Sequence, residues 1–89
     1  MVWRNDGAVA SISAGTVVSV QGKIINTTGT IGNNGTITLS DSLINGGTIN
    51  GNGTYNAAGN WTNNGTFTPG TSTVVFNGAV AQTIGGTTI

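Results

Sequence analysis

Every sixth residue through the middle and end of this 89-residue chain falls on an apolar or neutral side chain: Ile25, Ile31, Ile37, Leu43, Ile49, Tyr55, Trp61, Phe67, Thr73 and Ala79. A glycine stands two places before most of them, at Gly29, Gly35, Gly47, Gly53, Gly59 and Gly65, often with a threonine between. The hexad carries a longer period of eighteen, so that Gly29, Gly47 and Gly65 open equivalent units. Self-similarity at a fixed period constrains a fold more strongly than local propensity does. A chain like this folds by laying one copy of its unit on the next.

The local pattern is extended. Thr36-Ile37-Thr38-Leu39-Ser40 alternates polar and apolar residues, which puts Ile37 and Leu39 on one face of a strand. Thr16-Val17-Val18-Ser19-Val20 and Ser72-Thr73-Val74-Val75-Phe76 are further extended runs. Between the strands, Asn33-Asn34-Gly35, Asn45-Gly46-Gly47, Asn63-Asn64-Gly65 and Asn77-Gly78 read as sharp corners made of residues that tolerate positive φ. An antiparallel meander fits Asn-Gly corners. It gives no reason for like residues to recur at eighteen. A parallel β-solenoid does, because equivalent positions then stack about 4.8 Å apart.

The expected fold is therefore all-β: one parallel β-solenoid over residues 1–89, with about five coils of roughly eighteen residues. Ile31, Ile49 and Phe67 form one inward column; Ile37, Tyr55 and Thr73 a second; Leu43, Trp61 and Ala79, joined by Ile25, a third. Asn34, Asn52 and Gly70 share a corner where stacked amides bond along the axis. Trp3 to Val9 echoes Trp61 to Phe67, so the N-terminal part joins the same array. Right-handed winding is expected, since Tyr55, Trp61 and Phe67 are too large for the small inward corners of left-handed hexad helices.

Composition narrows the function. Gly, Thr and Asn supply about half of the chain, and only Arg4, Asp6, Lys23 and Asp41 are charged. Net charge is zero, so no basic face attracts nucleic acid. There is no cysteine for a disulfide or thiolate site. No segment has the ~20 apolar residues of a membrane span. The start lacks the charge-then-apolar pattern of a signal peptide. The expectation is a piece of a longer exported chain.

The run Gly59-Asn60-Trp61-Thr62-Asn63-Asn64-Gly65-Thr66-Phe67-Thr68-Pro69-Gly70, with Thr73-Val74-Val75-Phe76-Asn77-Gly78 and Gln82-Thr83-Ile84-Gly85-Gly86 after it, resembles repeat stretches of very long secreted surface proteins of Bacteroidetes-type bacteria. The Gly-Thr-Ile-x-Asn-Asn portion is similar to filamentous-haemagglutinin-like adhesins. The resemblance covers the C-terminal third closely, the middle in pattern and the first twenty-odd residues loosely. It implies an extracellular or cell-surface solenoid without catalytic residues.

The residues agree with a non-enzymatic reading. With no histidine or glutamate, acid–base chemistry would fall to Asp6, Asp41, Lys23 or Tyr55. Asp6 before Gly7 and Asp41 between serines are more simply corner residues. Two lone aspartates do not make a cation cage. No metal, cofactor or catalytic residue is expected. The leading function is a structural, adhesin-like fibre module. Its partners are copies of itself stacked end to end, or flanking repeats, since no cap of atypical sequence closes either end. The alternative is binding of ice or a crystalline surface polysaccharide through outward threonine ranks: Thr30, Thr48 and Thr66 in one, Thr36, Thr54 and Ser72 in another, and Thr68 beside the first. Gly32 and Asn50 interrupt the column that would complete the lattice at Thr68.

Overall fold

In a computed structural model, which describes residues 2–78, 82, 84 and 85, the chain winds into a parallel β-solenoid of about four coils. The strands are β1 (Val2–Ile12), β2 (Val17–Val20), β3 (Lys23–Asn33), β4 (Thr36–Leu39), β5 (Leu43–Asn45), β6 (Thr48–Asn50), β7 (Thr54–Ala57), β8 (Trp61–Asn63), β9 (Thr66–Phe67), β10 (Thr73–Phe76) and β11 (Ile84–Gly85). Every pairing between them is parallel, which excludes the meander.

Each coil has three sides. β5, β8 and β11 stack on the first half of β3, and β6 and β9 on its second half. The long strands β1 and β3 therefore turn a corner in mid-strand. They do so at Gly7 and Gly29, both in the left-handed region with φ of 93° and 94°. The third side is β2, β4, β7 and β10, in that spatial order.

Inward columns fill the space between the three sides. Ile31, Ile49 and Phe67 are in register, as expected, with Ala10 ahead of them. Ile37 and Tyr55 stack as expected, but the next residue in their column is Val74, and Thr73 pairs outward with Thr54. The turn before β10 is one residue longer than its predecessor and is closed by Ser72 N donating to Pro69 O. Leu43 and Trp61 stack as expected, but the residue behind Leu43 is Ile24, almost fully buried, while Ile25 faces outward opposite Ile44. Here too an extra corner residue, in Thr27-Thr28, shifts the phase of everything before it. Ala79 lies outside the described residues, and Ile84 is the residue paired with Trp61.

These insertions explain why about four coils, and not five, fit in the chain. The steps between equivalent positions run 21, 19 and 18 residues along one column. The echo of Trp61 to Phe67 in Trp3 to Val9 holds for Trp3 and Asn5, then fails. β1 carries register shifts between Asn5 and Val9, so Ala10 points inward and Val9 lies outside, opposite Thr30. Near the C-terminal end the core turns aromatic: Tyr55, Trp61 and Phe67 meet edge to face with centroids 5.4–6.0 Å apart.

Candidate functional site

The glycine columns explain how the coils come so close. A Cβ on Gly47 would run into the carbonyl oxygen of Gly29, and one on Gly65 into that of Gly47. Gly29, Gly47 and Gly65 thus lie in line on adjacent coils. Gly35 and Gly53 do the same at the next corner.

Just past these glycines, Thr30, Thr48 and Thr66 pair directly across coils on the outside of one face. Thr68 belongs to the neighbouring column, whose other members are Ser11, Gly32 and Asn50. Thr36 and Thr54 are also in register, on a different face, and are joined there by Thr73 in place of the expected Ser72. These seven threonines therefore form two separate ranks of three plus one isolated member, Thr68. They do not make a single flat lattice.

The two carboxylates sit at different corners. Asp6 is exposed in β1 and accepts from Thr28 Oγ1 at 3.2 Å; Asp41 is exposed in the turn before β5 and accepts from Ser42 Oγ at 3.2 Å. Among the described residues no three of His, Cys, Asp and Glu come together.

The most organised polar feature is one that the corner reading hid. Asn5, Asn26, Asn45 and Asn63 are buried inside the solenoid, and the Nδ2 of each of the first three donates to Oδ1 of the next at 2.9 Å. The same amides tie the corner backbone. Asn45 Oδ1 accepts from Gly47 N at 3.1 Å, and its Nδ2 also reaches Thr66 O at 3.0 Å. Asn33, also buried, accepts from Gly35 N and donates to Thr54 O. No asparagine among the described residues has positive φ; only glycines do. The sequence signal is the strand alternation itself. Each ladder asparagine lies two places after an inward residue, namely Trp3, Ile24, Leu43 and Trp61, so it must also point inward.

At the expected asparagine corner the amides do stack along the axis, but onto backbone. Asn34 Oδ1 accepts from Asn52 N at 3.0 Å, and Asn52 Oδ1 from Thr71 N at 3.1 Å. Gly70 follows with φ of 54°.

Tyr55 is an ionisable side chain inside the core. Its hydroxyl is buried without a hydrogen-bond partner among the described residues. Burial pushes its pKa up to about 12 from 10.0, and the nearby Asn33 side chain tempers that push without completing a hydrogen bond.

Comparison with known proteins finds no matching family model, no matching curated protein and no matching solved structure. The solenoid offers an interior that repeats along one axis and outer faces of small neutral side chains.

Proposed function

We propose that this chain is a non-catalytic structural module of an extracellular, cell-surface, adhesin-like fibre. The observation that carries this reading is the asparagine ladder, which runs through every coil beside unbroken apolar columns. Such an interior gains from each added coil and has no natural end, which suits a spacer or a rod. The resemblance of Gly59 to Gly70 and of the segments after it to surface repeats of Bacteroidetes-type bacteria supports the same reading. So does the neutral, charge-poor surface, which favours neither nucleic acid nor an ionic substrate.

The test is location. An antibody against the chain, applied to intact cells of the producing organism, should label their surface, and external protease should remove the signal. Labelling only after the cells are opened would count against the proposal.

The registration of Thr30, Thr48 and Thr66 favours a second reading, a face that binds ice or a crystalline surface polysaccharide. The methyl and hydroxyl groups of that rank repeat at about the 4.8 Å strand spacing. Thermal hysteresis of the purified chain, abolished by Thr48→Lys, would support it; freezing like buffer and no retention on crystalline polysaccharide would remove it.

A further inference from the structure

The described residues that expose a large apolar side chain all lie towards the two ends of the solenoid. Val2, Val9 and Val17 are on the first coil, and Val75, Phe76 and Ile84 are on or after the last. At the C-terminal end a cavity of about 170 Å³ opens onto the core, lined by Trp61, Phe67, Val74, Phe76 and Ile84, with Asn63 in its wall. Asn63 is only 2 % exposed, yet its Nδ2 has no hydrogen-bond partner among the described residues.

The ladder also has a direction. Each Nδ2 points toward the C-terminal end and each Oδ1 toward the N-terminal end, so the ladder finishes in a donor at Asn63 and begins with an acceptor at Asn5. Complementary ends of this kind fit a second copy translated along the axis.

The geometry points to head-to-tail assembly, in which the C-terminal end of one copy takes the first coil of a second and Asn63 Nδ2 donates to Asn5 Oδ1 across the junction. The inference rests on the structural-module reading and gives that module its partner. Ala10, the smallest residue of its column, then faces Phe67, the largest, while Val18 and Val20 cover Val74 and Phe76. Val9 and Val17 extend the outward ranks beyond Thr66 and Thr73. A contact made by translation does not close on itself, so it propagates as a filament.

One element stands in the way. β11 covers Trp61 and Thr62, where the first half of the incoming β1 belongs. β11 has two residues. Next to it, Gln82 Nε2 donates to Ala57 O and Gly59 O, and Gln82 Oε1 accepts from Gly78 N at 2.6 Å. Assembly therefore exchanges β11 for the eleven-residue β1 of the next copy, and Gln82 sets how readily β11 yields.

Sedimentation velocity and electron microscopy of the full chain over a concentration series test this. Asn63→Asp keeps an oxygen to accept from Asn45 Nδ2 and Gly65 N, removes the donor that faces the next coil and puts a carboxylate in its place. The wild-type chain should form filaments; Asn63→Asp should need at least tenfold higher concentration, and Gln82→Ala a lower one. Circular dichroism melts show whether the variants fold. Should Asn63→Asp not fold, Phe76→Ser at the open end gives the same comparison and the same expected loss. A wild-type chain that stays monomeric at high concentration, or an Asn63→Asp chain that assembles like wild type, overturns the inference. A monomer that still labels the cell surface overturns assembly alone and leaves the module reading standing.

Discussion

Asparagine inside a small β-protein needs an account, because a buried amide without partners costs about 1–3 kcal/mol. Here the cost is offset by repetition: Asn26 and Asn45 each donate from Nδ2 to the like residue of the next coil and accept at Oδ1 from that of the preceding coil, and both also bond the corner backbone. Asn45→Leu keeps the size but leaves Asn26 Nδ2 and Asn63 Oδ1 with only their 3.3 Å backbone bonds, and it takes away the side-chain acceptor of Gly47 N. It should lower stability by about 3 kcal/mol in urea unfolding, well beyond Asn52→Ala at the exposed corner. Tyr55 is the opposite case, a buried hydroxyl with no partner among the described residues. Tyr55→Phe should leave the fold as stable or raise stability by about 1 kcal/mol. It should also change the alkaline limb. The unfolded chain gives up the Tyr55 proton above pH 10, whereas the folded chain holds it to about 12. The unfolded state therefore binds fewer protons in that window and stability falls as pH rises through it. Tyr55→Phe should flatten that fall in melts recorded from pH 9 to 12.

At the scale of strands and corners, the glycines set how closely coils approach. Gly47→Ala forces a methyl group into the Gly29 carbonyl and should cost more than 2 kcal/mol or prevent folding. Gly32→Ala, where the new Cβ meets only Asn50 Oδ1 at 3.2 Å and one more distant carbonyl, should cost much less. Urea midpoints of the two variants make the comparison. This scale also shows what the sequence reveals and what it hides. The columns Ile31–Ile49–Phe67 and Leu43–Trp61 are readable because their corners have equal length and the period of eighteen survives. Ile24 and Val74 were hidden by single extra residues at Thr27-Thr28 and in the turn after Pro69, since one residue reverses the facing of a whole strand. The asparagine ladder was hidden for another reason. Asn-Gly pairs are strong corner signals, and the corner does follow, but the asparagine belongs to the strand and the glycine makes the turn. The threonine rank of Thr30, Thr48 and Thr66 was legible; that Thr36 and Thr54 lie on another face depends on where the three sides meet.

For the whole molecule, cohesion comes from nearest-neighbour stacking of coils rather than from one central core. Four coils at about 4.8 Å each make a segment no longer than it is wide, and the extents of 31 × 29 × 26 Å agree. A fibre built from this chain must therefore be built by continuation, which the donor and acceptor ends of the ladder favour. The coils are parallel, in register and held together inside by asparagine amides. Side-chain amide hydrogen exchange followed by NMR tests this arrangement most directly. Exchange should be slow for the Nδ2 protons of Asn26 and Asn45, and fast for those of Asn34 and Asn52 on the outside. Equal, rapid exchange at all four, or strong cross-strand Hα–Hα contacts of the antiparallel kind, would contradict it.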